Sequence, residues 1–168
     1  MIKIAYRINN LTDARYFAAH LFDWIIIDPG PGIINSAKLQ SITGWLSGVN
    51  LGMTVYDTDQ LTYLREAHPE ITGLWLEHSI AHLNHAGYTV FSCFSYGEFD
   101  YFVQRGLYPP NSTLDAPTLL DLSALHFDDH VGVNIESFAG ICLAGGEEIR
   151  AGFKDFQALD HWIEWMDS

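Results

Sequence analysis

The sequence has 168 residues, of which 48% are hydrophobic, and a net charge of −13 with only eight lysines and arginines. Such an acidic chain is a poor partner for a nucleic-acid backbone or an anionic membrane surface. No charged and apolar leader opens it, and no apolar run approaches the length of a membrane span, which predicts a cytoplasmic protein. Size and apolar content predict one domain, 1–168. Cys93 and Cys142 lie in apolar strand-like segments, which favours reduced thiols over a disulfide.

The first two thirds of the chain alternate short apolar runs with helical patterns. The apolar runs predict five strands, at 1–8, 24–28, 50–56, 71–76 and 88–94. A helix is predicted after each strand: one with Thr12 as its N-cap, then 36–46, 58–67 with Thr58 as its N-cap, 79–85 and 98–105. Strands that alternate with helices in this way are typical of βαβ units on a parallel sheet.

The last third of the chain supplies three more strands with less room between them. We predict a sixth strand at 118–122, a seventh at 130–133 and an eighth at 140–144, followed by a closing helix at 155–166. Eight strands favour a (β/α)8 barrel of the TIM type, shortened, with reduced helices after strands 6 and 7. An open doubly wound sheet is the alternative, although it normally has only five or six strands.

A glycine pair follows the last apolar run directly. Gly145 and Gly146 allow the backbone to approach a ligand and to direct free amide N–H groups at a phosphate or carboxylate. An ordinary turn from strand to helix is the alternative interpretation. The pair is therefore a candidate binding element.

Two stretches at opposite ends of the chain resemble one enzyme family. Residues 4–14 read IAYRINNLTDA and residues 143–155 read LAGGEEIRAGFKD. Both resemble phosphoribosylanthranilate isomerase, a (β/α)8-barrel enzyme of tryptophan biosynthesis, and a weaker match covers 115–128. The positions that keep the family's spacing are Ile8, Asn10, Leu11, Asp13, Ala14, Gly146, Glu148, Gly152, Lys154 and Asp155. The resemblance implies that the first and eighth strands pair where the barrel closes.

The departures from that family fall on the residues of its chemistry. The resemblance implies a catalytic cysteine, the general base, where this sequence has Tyr6, and a glycine where it has Arg7. It implies that Asp121 is the general acid and that Lys38 replaces a phosphate-binding arginine. A tyrosine, with a usual pKa of about 10, is less suited than a cysteine of about 8.5 to take a proton at neutral pH. The glycine-rich phosphate loop expected after Asp121 is absent, because residues 122–126 contain no glycine.

Polar residues at the strand ends surround the mouth that a barrel would have. Arg7 is the favoured anion-binding side chain, with a salt bridge to Asp28 or Asp121 as the alternative. A carboxylate at a strand end can also cap the next helix. The residues expected at the mouth are Tyr6, Arg7, Asp28, Asp57, Glu77, Ser95, Asp121 and Gly145.

Three histidines follow the fourth strand at helical spacing. His78, His82 and His85, with Glu77, could bind a metal on one helix face. The same spacing is typical of a solvated face, and no second ligand cluster accompanies it. We therefore predict neither a metal site nor a cofactor.

Two classes of function remain open. The first prediction is a divergent isomerase-like barrel without efficient isomerase activity, which keeps a pocket for a small, phosphate-bearing molecule or an interaction role. The alternative is an active isomerase of a phosphorylated sugar derivative, of the aldose–ketose type, in which Asp121 is the general acid and another group replaces the cysteine as base. The lost cysteine favours the first class, whereas Asp121 and the glycine pair favour the second.

Overall fold

Eight parallel strands close into a barrel in which each strand pairs with its neighbours in sequence order. The computed structural model describes residues 1–80, 83–106, 115–126, 133–146 and 154–167. The predicted (β/α)8 barrel is therefore confirmed. Its strands are β1 (Ile2–Ile8), β2 (Trp24–Ile27), β3 (Asn50–Thr54), β4 (Ile71–Leu76), β5 (Thr89–Ser92), β6 (Tyr101–Arg105), β7 (Thr118–Asp121) and β8 (Gly140–Ala144).

Four α-helices lie among the described residues. They are α1 (Leu11–Ala19), α2 (Ser36–Thr43), α3 (Thr58–Ala67) and α4 (Gln157–Met166). The side-chain oxygens of Asn10 and Asp57 accept hydrogen bonds from backbone N–H groups in the first turns of α1 and α3. The predicted N-caps Thr12 and Thr58 are therefore wrong, because each cap residue is the extended residue just before the helix. No described helix is long and apolar enough to cross a bilayer.

Three segments differ from the predicted secondary structure. Residues 98–105 were expected to be helical, but Tyr101–Arg105 forms β6, because its aromatic and β-branched side chains fit between β5 and β7. Thr118–Asp121 is consequently the seventh strand and not the sixth. Of the predicted seventh strand, Val133 is irregular and 130–132 lie outside the described residues. Of the predicted helix 79–85, the described residues 79–80 and 83–85 are irregular.

The shortening of the barrel comes from its crossovers. Among the described residues, β7 is followed directly by a 3-10 turn, Leu122–Ala124, which agrees with the reduction predicted there. A second 3-10 turn, Ile135–Ser137, precedes β8. The described connections after β4 and β5 contain no α-helix either. In the described parts of these connections, irregular segments and 3-10 turns therefore stand in place of α-helices.

The barrel closes through direct pairing of the first and last strands. Five residue pairs join β1 to β8 in parallel register, from Ile2 opposite Gly140 to Tyr6 opposite Ala144, which confirms the predicted closure. A Cβ atom at Gly140 would lie 2.3 Å from the backbone oxygen of Ile2 and 2.9 Å from Leu119 Cδ2. Only glycine fits this approach, because real Cβ atoms do not come so close to a backbone atom.

The second residue after helix α1 is a leucine in the left-handed conformation, which glycine usually adopts at this position. Leu21 has φ 56° and is 82% exposed. The N–H of Phe22 donates to the carbonyl of Phe17 and the N–H of Leu21 donates to that of Ala18, both at 3.2 Å. This pair of bonds, with the Phe17 and Phe22 rings packed 4.8 Å apart, is a Schellman C-cap.

We expect Gly140→Ala to lower the free energy of unfolding by about 2–3 kcal/mol, as overpacking of a rigid site does. Denaturant unfolding measures the loss. Gly52→Ala is the matched control, because its nearest contact would be the flexible Ile26 Cδ1 at 2.5 Å. Equal losses in the two variants would show that closure at β1 and β8 is not the sensitive site.

We expect Leu21→Gly to raise the free energy of unfolding by about 0.5–1 kcal/mol. A residue with a Cβ loses roughly 1–2 kcal/mol in the left-handed conformation, and the greater flexibility of unfolded glycine offsets part of the gain. Leu21→Ala is the control, since it keeps the Cβ and removes the exposed side chain. If both variants unfold at the same denaturant concentration, the strain assigned to Leu21 is absent.

Candidate functional site

Side chains at the carboxyl ends of the strands form one polar cluster, as expected at the functional end of this fold. We call it the mouth cluster. Its members come from β1, β4, β6 and β7 and from the residue that follows β4. They are Tyr6, Arg7, Trp75, Glu77, Arg105 and Asp121.

Tyr6 lies at the centre of these contacts. Its phenol donates a hydrogen bond of 2.7 Å to Asp121 Oδ2, and its ring stacks on Trp75 with centroids 4.5 Å apart and planes 15° apart. The side chain is buried. Burial and the adjacent Asp121 raise the pKa of Tyr6 above its usual value, so the phenol stays protonated. Tyr6 is therefore a hydrogen-bond donor here and not a base.

Asp121 is buried at the end of β7, with 1% of its surface exposed. Besides the Tyr6 hydroxyl, its carboxylate accepts a hydrogen bond of 3.1 Å from the Ser123 N–H and lies 3.4 Å from Arg105 Nε. Burial raises the pKa of Asp121 against the opposing effects of Tyr6 and Arg105. Asp121 was predicted at the end of the sixth strand, but β6 precedes it, so Asp121 ends the seventh strand. The residue at the end of the sixth strand is Arg105.

Glu77 is the acceptor on which the cationic groups converge. Arg105 Nη2 donates to both carboxylate oxygens, at 2.8 and 2.7 Å, and the Trp75 indole N–H donates to Oε1 at 3.0 Å. Burial acts to raise the pKa of Glu77, but the hydrogen bonds from Arg105 and Trp75 outweigh it and lower that pKa. Glu77 is therefore an ionised partner of the mouth cluster.

Arg7 extends over the mouth from a left-handed backbone position. Its φ is 56°, its side chain is 53% exposed, and its guanidinium carbon lies 5.5 Å from the centroid of the Tyr6 ring. Nη2 lies 3.7 Å from Glu77 Oε1. The alternative prediction, a salt bridge from Arg7 to Asp28 or Asp121, is therefore wrong, because the carboxylate that pairs with Arg7 is Glu77.

The glycine pair is already occupied by acceptors of the protein itself. Gly145 N–H donates to the carbonyl of Tyr6 at 2.7 Å, and Gly146 N–H donates to Asp13 Oδ2 at 3.0 Å. Lys154 Nζ lies 2.5 Å from Asp13 Oδ1, and both of these side chains are buried. The prediction of free amides for an external anion is wrong, because the Asp13 carboxylate already holds the Gly146 N–H.

The other two predicted ligand residues lie apart from this cluster. Asp28 accepts hydrogen bonds of 2.9 Å from the Tyr56 hydroxyl and the Gly30 N–H. Lys38 is exposed on α2, and with Asp28 it lines a cavity of about 20 Å³. That volume holds one water molecule and not a phosphate.

The histidines after β4 have separate surroundings. His78 packs with its ring 5.8 Å from that of Tyr56, and His85 Nε2 lies 3.4 Å from Glu98. His82 lies outside the described residues. Within the described ranges, no group of three or more histidine, cysteine or acidic side chains could hold a metal ion.

Two residues of the mouth cluster, Arg105 and Trp75, were missed by sequence reasoning. Arg105 was placed in a helix, although the run Tyr101 to Val103 is typical of a strand. Trp75 was predicted only as part of the fourth strand. Cys93 lies near Arg105, and burial raises the pKa of its thiol to about 12, so it stays protonated.

We expect Glu77 and Asp121 to contribute oppositely to the pH dependence of stability. The lowered pKa of Glu77 gives a contribution that is full above about pH 4.5 and is lost as the pH falls, whereas the raised pKa of Asp121 makes its ionisation costly as the pH rises. As the pH rises toward about 4.5, Glu77→Gln should therefore lose stability relative to the unchanged protein, whereas Asp121→Asn should gain relative stability as the pH rises above about 4. Denaturant unfolding between about pH 2 and 7 measures both; parallel trends would contradict the assignment.

Solved structures of one enzyme family are similar to this chain over nearly its whole length. The crystal structure of a phosphoribosylanthranilate isomerase from Thermus thermophilus superposes with a TM-score of 0.71 at 16% identity, covering 99% of this chain and 98% of that one. The enzyme from Thermotoga maritima gives 0.68 at 15% identity, covering 98% of both chains. An isomerase in complex with reduced 1-(o-carboxyphenylamino)-1-deoxyribulose 5-phosphate gives 0.66 at 14%, covering 98% and 97%.

No protein-family model matches the sequence, and no curated protein matches it significantly. The resemblance noted from the two ends of the chain is thus confirmed at the level of three-dimensional structure. From its first strand to its closing helix, the chain has the fold of the phosphoribosylanthranilate isomerases.

Proposed function

We propose that this barrel does not efficiently isomerise phosphoribosylanthranilate and instead binds a small anionic molecule at its mouth. One observation carries the proposal: Tyr6 stands where the resemblance implies the catalytic base, and its hydroxyl is bonded to the candidate acid Asp121. The groups of the expected acid and base positions are thus engaged with each other.

The chemistry of the isomerisation supports this proposal. The reaction needs an acid to open the sugar ring and a base to remove the C2 proton, and one positioned base contributes roughly 100- to 10,000-fold. A phenol whose pKa is raised by burial cannot accept that proton near neutral pH. The stacked rings of Tyr6 and Trp75 also fill space at the point where a substrate ring would approach.

The ligand that we propose is a small molecule with a carboxylate or phosphate group. Among the described residues, Arg7 and Arg105 are cationic groups at the mouth, and their side chains are 53% and 35% exposed. One structural neighbour is described in complex with a phosphorylated substrate analogue, which supports a phosphate-bearing ligand.

An active isomerase is the second candidate, favoured by one specific observation. The raised pKa of Asp121 suits a general acid, since it extends the pH range in which the carboxyl group carries a proton. Glu77 would then be the substitute base. The hydrogen bonds that hold Glu77 to Arg105 and Trp75 make it a weaker base, which is why we place this function second.

We expect the unchanged protein not to support growth of a tryptophan auxotroph that lacks the isomerase, and to show no turnover with substrate generated in situ. Tyr6→Cys should produce measurable activity if the rest of the mouth has the geometry of an isomerase, because it restores a thiol at the base position. Tyr6→Phe, which removes only the hydroxyl, is the matched control, and adding Asp121→Asn to Tyr6→Cys should abolish any gain. Robust turnover by the unchanged protein would refute the proposal and favour Glu77 as base.

A further inference from the structure

Two of the eight basic residues of this acidic chain converge on one carboxylate. Both carboxylate oxygens of Glu77 accept hydrogen bonds from Arg105 Nη2, at 2.7–2.8 Å, and the Trp75 indole N–H donates a third hydrogen bond to Glu77. A guanidinium and an indole N–H directed at one point are the donors that recognise a carboxylate or phosphate in a ligand. The protein's own side chain occupies that point.

Arg7 is poorly matched to this internal partner. Its Nη2 lies 3.7 Å from Glu77 Oε1, beyond hydrogen-bond distance, and half of its side chain faces solvent. Its backbone has φ 56°, a conformation that is costly for a residue with a Cβ and that is often associated with functional sites. Arg7 thus keeps donors directed over the mouth that Glu77 does not satisfy.

Glu77 is placed where it can be displaced. It lies one residue beyond β4, and the backbone from 77 to 80 is irregular, without a helix to fix it. Its side chain remains 18% exposed, so the solvent reaches the carboxylate. Of the neighbouring carboxylates, Asp121 accepts from Tyr6 and lies 3.4 Å from Arg105 Nε, and Asp28 accepts from Tyr56.

We infer that Glu77 is an internal competitor in an oxyanion site formed by Arg7, Arg105 and the Trp75 N–H. A carboxylate or phosphate of a small molecule binds there by replacing the Glu77 carboxylate, and the docked side chain sets the affinity. This inference rests on the proposed ligand-binding function and specifies how that function is controlled. Occupation of a site by a competing state lowers the apparent affinity in proportion to its population.

The test compares Glu77→Gln with the unchanged protein by titration with inorganic phosphate and, separately, with benzoate. NMR of the five tryptophan indole N–H groups follows binding. Glutamine keeps an acceptor for Trp75 and Arg105 but removes the charge, so we expect affinity for at least one probe to rise about tenfold or more. Glu70→Gln is the matched control, since it removes one charge beside His68, outside the mouth cluster, and should leave affinity unchanged.

The outcomes separate the inference from the proposed function. A gain for phosphate alone or for benzoate alone supports the inference and identifies the ligand group, and adding Arg7→Gln to Glu77→Gln should reverse the gain. Glu77→Ala, checked for folding by circular dichroism, repeats the test without the amide. If both Glu77 variants fold and bind both probes no more tightly than the unchanged protein, the inference is overturned. In that case, binding by the unchanged protein would still support a ligand role of the mouth, whereas binding of neither probe by any of these proteins would refute that role as well.

Discussion

The hydrogen bond from Tyr6 to Asp121 is the contact on which the rest of the mouth depends. It joins β1 to β7 across β8, between residues 115 positions apart in sequence. Asp121 in turn lies beside Arg105, and Arg105 holds Glu77, so one buried contact fixes the positions of both charged side chains. A network of this kind is rigid when every member has a partner, and it becomes costly when one is removed.

In this acidic chain, several of the donors that could bind an external anion are paired with carboxylates of the chain itself. Three groups that would attract an external anion are matched with a carboxylate of the chain: the Gly146 amide and Lys154 with Asp13, and Arg105 with Glu77. Such pairing lowers the energy of buried donors, which otherwise lose their hydration without compensation. The two pairs differ in burial. Asp13 is fully buried, whereas Glu77 remains in contact with solvent.

Much of the fold was predictable from the sequence, because buried parallel strands give continuous apolar runs and the two ends carry a recognisable pattern. Strand β6 was not predicted, because the charged residues around Tyr101–Arg105 give a helical pattern. The sequence does not show that the apolar side chains of this segment are buried between two strands. At the site, Tyr6 and Asp121 were predictable as positions and their mutual hydrogen bond was not. The partners of Arg105 and Gly146 lie 28 and 133 positions away, and only the strand register and the closed barrel bring them together.

Closure of the barrel by its two ends also determines when the site exists during synthesis. β1 emerges first, yet Tyr6 lacks its acceptor until β7 has been made, and Asp13 lacks its lysine, 141 positions later, until nearly the whole chain is available. Contacts between distant residues form only after the entropy of closing long loops has been overcome. The nascent chain therefore carries an unpaired β1 edge through most of its translation. Until β8 is made, this edge presents unpaired N–H and C=O groups with which another chain could pair.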